Sequence, residues 1–182
     1  MSLSSVKLLI LEKMWMLDRP AKPAEIAKSA DMNFPAVMMH LLGLAKAEYV
    51  KSPEKGLYVI TDKGKRALGI PEMNQQKASE ILKHLPAEKS FHFYADIGKP
   101  LNTSAASLEE FCEKIQKIDL NSIEFHVRHG DFEAWFTHLG DTELAKKVSI
   151  LEKQKIRGEE LRKKLYELVH KRYQELVKIR GA

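Results

Sequence analysis

Between Val6 and Leu17 the chain is apolar on more than one side of a helix. Val6, Ile10, Met14 and Leu17 fall on one face, and Leu8, Leu11 and Trp15 form a second stripe. Ser4 or Ser5 can cap the segment, and no Gly or Pro interrupts it. A helix apolar nearly all round is buried on several sides, so the second stripe asks for another domain or another subunit. Residues 18–22 read as a turn. Pro23 stands where a first helical turn tolerates proline, and residues 23–29 read as a short helix with Ile26 and Ala27 inward. Asn33 then serves as the N-cap of a third helix over residues 34–47, with Val37, Leu41 and Leu44 inward at i, i+4 and i+7. Two β-rich runs, 49–52 and 57–61, flank Pro53-Glu54-Lys55-Gly56 and predict a hairpin. Thr61 caps a last short helix over 62–68, and Gly69-Ile70-Pro71 ends it.

Beyond residue 71 the pattern is less regular. Residues 72–85 read as a polar helix bridging two domains, with Ala78, Ile81, Leu82 and Leu85 on one side. Aromatic residues 90–96 read as a strand, and 97–104, with Gly98, Pro100 and Asn102, as a loop. Ser107 followed by Glu110 is a capping box, opening a helix whose apolar face is Leu108, Phe111, Cys112, Ile115 and Ile118. Residues 121–127 alternate polar and apolar, which predicts a strand or an extended segment. Asp141 caps a further helix. From Leu144 to Arg180 the chain is nearly unbroken helix former, with Gly158 the expected break. Its stripe of Leu161, Leu165, Leu168, Val169, Tyr173, Leu176 and Val177 packs on its own domain, on the N-terminal helices, or on a twin in a dimer. Arg162-Lys163-Lys164 and Lys171-Arg172 are expected outside that stripe, on a solvated face.

The order helix, helix, turn, helix, hairpin, helix resembles that of the prokaryotic winged helix-turn-helix regulators over about the first 70 residues. The resemblance rests on Val37-x3-Leu41-x2-Leu44-x3-Glu48-Tyr49-Val50, similar to a recognition helix running into a wing. It rests also on Thr61-Asp62-Lys63-Gly64-Lys65-Arg66-Ala67-Leu68, similar to the segment after the wing. It implies a third helix in the major groove and a hairpin on the backbone or minor groove of double-stranded DNA. A second resemblance, over about residues 90–150, is to a small, mostly archaeal domain family of unassigned function. It is carried by residues 106–111, by Ser122-Ile123-Glu124-Phe125-His126, by Asp131-Phe132-Glu133-x-Trp135 and by Leu139-Gly140-Asp141-x-Glu143-Leu144-Ala145. It implies a fold unit and no activity.

Charge sharpens the first resemblance. The net charge is +5, unevenly placed. Residues 1–70 hold 11 Lys and Arg against 7 Asp and Glu, residues 71–152 hold 9 against 14, and residues 153–182 hold 10 against 4. Phosphate attracts such basic segments, while a basic helix can equally pair with the acidic middle. Carried over by position, the exposed residues of the third helix are Asn33, Ala36, Met39, His40, Gly43 and Lys46. Among them Asn33, His40 and Lys46 can contact base edges. Lys51, Lys55, Lys63, Lys65 and Arg66 supply the charge for phosphates, which positions without specifying sequence. Met38, Met39 and Gly43 read little, and exposed methionines also suit adaptable protein contacts. DNA binding and protein docking both stand.

Other chemistry is sparse. One cysteine, Cys112, excludes an internal disulfide and a multi-Cys zinc site, and on an apolar helix face it reads as a buried thiol. His126, His129, Asp131 and Glu133 crowd together, a donor set that suits Zn, Fe or Ni. No H-E-x-x-H supports it, and the structural alternative has His126 bonded to a neighbour and Asp131 capping the helix of Trp135. No Gly-rich phosphate loop and no Ser/His/Asp arrangement points to an enzyme. No apolar run approaches a membrane span, and Met1-Ser2-Leu3 is not followed by a leader-like segment, so a cytoplasmic protein is expected.

The fold expected is mainly α with a small β component: a winged helix at 1–70, a linker helix at 71–89, a small α+β domain at 90–152 and a long amphipathic C-terminal helix at 153–182. The function expected is a non-enzymatic, dimeric, DNA-binding transcriptional regulator that needs no cofactor. A protein-interaction module, or a metal- or ligand-binding domain around His126, His129 and Asp131, is the alternative.

Overall fold

The computed structural model describes residues 3–182. The chain is mostly helical with two small antiparallel sheets, and it divides into two compact units, Met1–Glu72 and Met73–Ala182.

The first unit holds α1 (Ser5–Leu17), α2 (Pro23–Ala30), α3 (Phe34–Lys46), β1 (Val50–Lys51), β2 (Val59–Ile60) and α4 (Asp62–Ala67). Its helix starts are capped by side chains that accept an otherwise unpaired backbone N–H. Ser4 Oγ accepts from Lys7 N, Asn33 Oδ1 from Ala36 N at 2.9 Å, and Thr61 Oγ1 from Gly64 N at 3.2 Å. β1 and β2 pair as Val50↔Ile60 and Lys51↔Val59, and Ala21 bridges Tyr58, with Ala21 N donating to Tyr58 O at 3.0 Å. Gly64 sits where α4 meets the hairpin. A Cβ there would run into the Tyr49 carbonyl oxygen and the Ile60 side chain, so only glycine allows the approach.

α1 is central to this unit. It packs on α2, α3, β2 and α4, and Ile10, Leu11, Met14 and Trp15 are all buried. The second apolar stripe, Leu8, Leu11 and Trp15, was expected to need an outside partner. The unit itself buries much of both stripes, because α1 packs on four elements, while Val6, Leu8 and Leu17 remain half-buried.

The second unit departs further from the pattern. α5 (Gln75–Ile81) is shorter than the bridging helix expected, and it is not a free-standing linker: it packs on the last helix, with Ala78 and Ile81 in the core. After a 3-10 turn at Ala87–Lys89 come β3 (Phe91–Asp96) and β4 (Lys99–Ala105). β4 replaces the expected loop. Its polar sequence with Pro100 and Asn102 lacks strand propensity, yet the two-residue turn Ile97-Gly98 folds it back so that Asp96 faces Lys99 and Phe91 faces Ala105. Gly98, in the turn, takes a φ of 71°, and Asn102, between the partners of His92 and Tyr94 where the register shifts, one of 51°.

α6 (Leu108–Ile115) starts as predicted: Ser107 Oγ accepts from Glu110 N, and Glu110 Oε2 accepts from Ala106 N. Residues 121–127, expected extended, lie within α7 (Leu120–His129). Alternation misled there. Ile123, His126 and Val127, spaced i, i+3 and i+4, are buried together with Ser122, and Asp119 caps the helix. α8 (Asp131–His138) follows after Gly130, then α9 (Thr142–Lys153), then α10 (Gly158–Gly181). The long helix therefore breaks at residues 154–157, just ahead of Gly158. The stripe of α10 is filled inside its own unit, against α5, α6, α7 and α9. A core of Phe91, Phe93, Phe111, Phe132, Trp135 and Phe136 joins the hairpin to α6 and α8.

Arg172 was expected on the solvated face of α10. It is buried instead, and it forms bonds to Asp141 at 2.8 and 3.0 Å and to Glu143 at 3.0 Å. A guanidinium can be buried when carboxylates meet its fixed fork of donors.

Candidate nucleic-acid interface

α3 carries the candidate surface. Pro35 in the first turn and Asn33 at the cap start it, and Val37, Leu41 and Leu44 turn one side into the unit. The opposite side is open. Phe34, Met39 and Leu42 are 50%, 63% and 58% exposed, and Pro35 and Gly43 are exposed with them. The helix contains no carboxylate, and its last residue is Lys46.

The proposed DNA-contacting residues fall into two sets. Lys46, Lys51 and Lys55 are exposed, and among the described residues no carboxylate lies within ion-pair distance of them. They sit at the end of α3, on β1 and in the hairpin turn. The others have structural work. Asn33 spends its amide oxygen on the cap. His40 is half-buried. Lys63 donates to the Ala47 carbonyl at 2.8 Å and lies 4.9 Å above the Tyr49 ring, so it closes the C-terminal end of α3. Lys65 is half-buried with a partner of its own, and Arg66 pairs with Glu72 at 3.0 Å. Phe34 and Leu42 were not singled out from the sequence. Leu42 lies off the Val37/Leu41/Leu44 face, so helical spacing alone could have found it.

The histidine cluster of the second unit comes apart. His126 is buried, and both its nitrogens are used: Tyr94 N donates to Nε2 at 2.8 Å, and Nδ1 faces Asp131 Oδ2 at 2.7 Å. Because a backbone N–H can only donate, the ring is neutral with its proton on Nδ1, given to Asp131. Burial lowers its pKa from 6.5, against the hydrogen bond and charge of Asp131. No lone pair remains for a metal. His129 instead bonds the Phe125 carbonyl and lines a separate cleft of about 210 Å³ with Arg128, Glu133, Ser149 and Glu152. Among the described residues no three His, Cys, Asp or Glu side chains converge to hold a metal ion. Asp131 is the first residue of α8, and the N-cap is Gly130. Cys112 is buried, and burial pushes its thiol up to about 12, with Glu109 and Glu113 adding to it. No described helix is long and apolar enough to cross a membrane.

The class is therefore a mostly helical two-unit protein, with a hairpin-bearing helical unit first and a helical unit with a two-stranded sheet second. Residues 68–170 match the model of a Family of unknown function (DUF5752), and the chain belongs to that family. The match spans most of the second unit and contains the stretch 90–150. No curated protein and no solved structure shows a match.

Proposed function

We propose that the first unit is a winged helix-turn-helix that holds duplex DNA and that the protein is a non-enzymatic transcriptional regulator, its second unit serving for sensing or protein contact. One observation carries this reading: the exposed, carboxylate-free α3 ends in Lys46, and the hairpin that follows carries the exposed lysines Lys51 and Lys55. Lysines so placed neutralise phosphates, while α2, the turn and α3 present a helix to a groove. Lys63, Lys65 and Arg66 contribute less, because each is already engaged. The stripe of α10 is filled within its own unit, so the homodimer in this reading rests on α1, where Leu8 is half-buried and Leu9 is 37% exposed.

The test is duplex binding by the full chain across a salt series. Affinity should fall steeply with salt, and Lys46→Ala, Lys51→Ala and Lys55→Ala should each reduce the logarithmic salt slope by about 1. Absence of binding to any duplex at low salt overturns the reading. The exposure of Met39 and Leu42 favours one second reading, a protein-docking face on α3. Loss of a partner on Met39→Asp but not on Lys55→Ala would select it.

A further inference from the structure

From the open face of α3 we infer that the helix reads DNA by its methyl groups: it selects thymine-rich major groove through van der Waals contact. This rests on the duplex-holding reading above and deepens it. The residues are Phe34, Met38, Met39 and Leu42. Phe34, Met38 and Leu42 follow one another at one-turn spacing; Phe34, Met39 and Leu42 are exposed, and Met38 between them is half-buried. None of these side chains can pair with the donors and acceptors of a base edge. The major groove offers one purely apolar feature, the C5 methyl of thymine. Methionine, unbranched and polarizable, moulds to such small targets.

Charge decides the occupant. The face carries no carboxylate, and the exposed cations Lys46, Lys51 and Lys55 follow it in the chain. An apolar strip without carboxylates, followed by exposed cations, complements a polyanion, as the phosphate backbone beside a groove supplies. Asn33 has its amide oxygen held by Ala36 N, which leaves its amide N–H groups as the polar donors at the start of the helix.

The experiment compares alternating dA–dT and dA–dU duplexes of equal length, titrated with the full chain at low salt. Uracil removes only the methyl and keeps every hydrogen-bonding group. Each methyl buried against α3 should favour dA–dT by about fourfold. An alternating duplex of dG and 5-methyl-dC should likewise be bound more tightly than one of dG and dC. Met39→Ala and Leu42→Ala, both at exposed positions, should narrow the dA–dT preference, whereas Lys51→Ala should weaken both duplexes alike and leave it intact. Equal affinity of the unaltered protein for dA–dT and dA–dU overturns methyl reading while leaving duplex holding in place. Binding to no duplex overturns both.

Discussion

Arg172 on α10 grips both carboxylate oxygens of Asp141, the residue that caps α9: Nε lies 2.8 Å from Oδ2 and Nη2 3.0 Å from Oδ1. Asp141 Oδ1 also accepts from Leu144 N at 3.1 Å, so one carboxylate caps a helix and neutralises a buried cation. Burial works against the guanidinium, but the hydrogen bond and charge of Asp141 and the charges of Glu143 and Glu175 hold its pKa above the ordinary arginine value. Removing one member strands buried charge. Arg172→Ala should cost about 3–5 kcal/mol in urea unfolding. Lys163→Ala, on the exposed side of the same helix, should shift stability by less than about 0.5 kcal/mol. Similar losses for the two would mean the network contributes little.

His126 gives the second unit a pH dependence. Its folded pKa is depressed below 6.5, so the folded state binds the proton less well than the unfolded state. The stability it contributes is complete above about 6.5 and is lost as pH falls through that value towards the folded pKa. Protonation would set an N–H of the ring against the Tyr94 N–H. Unfolding free energies measured from pH 7.5 to 5 should decline, by up to about 1.4 kcal/mol per pH unit from this group. In His126→Phe that part of the slope should vanish, with a constant loss of about 1–3 kcal/mol because the Tyr94 amide is left unpaired. An unchanged slope would assign the dependence elsewhere.

Asn33 separates a cap from a base reader. Asn33→Ala should destabilise the first unit by about 1 kcal/mol, and Asn33→Ser should restore most of it. If Asn33→Ser keeps the stability but loses duplex affinity, the side chain also contacts DNA. If it keeps both, the residue is a cap alone.

Gly64→Ala tests the close seat of α4 on the hairpin. The new methyl meets the Tyr49 carbonyl and Ile60, and the expected cost is about 1–3 kcal/mol, read by thermal unfolding of the full chain. A neutral substitution would show that the helix can move away freely.

Cys112 should resist thiol reagents. With its pKa raised to about 12 and its side chain in the core, it is a neutral thiol at pH 8. Reaction with an aromatic disulfide reagent should be slow in buffer and fast in denaturant. Rapid reaction in buffer would contradict the burial.

Much of the first unit could be read from the sequence, because its signals are local. Ser4, Asn33 and Thr61 start their helices within one turn of their own position, and Val37, Leu41 and Leu44 mark the inner side of α3 by spacing alone. The mainly α composition and the capping box at Ser107 were legible for the same reason. The tertiary structure decided whatever depends on a partner far along the chain. β4 is a strand because Phe91 and its neighbours pair with it, against its own propensity. α7 is a helix because the Ile123, His126 and Val127 side faces the core, though the same residues also alternate. Arg172 is buried because Asp141 and Glu143, about thirty residues earlier, come back to meet it. Lys63, read from the sequence only as a phosphate contact, also closes α3 at Ala47. Periodicity fixes which residues share a face, since it follows from backbone geometry. Packing then decides which face meets water, and on α3 it left an apolar one exposed.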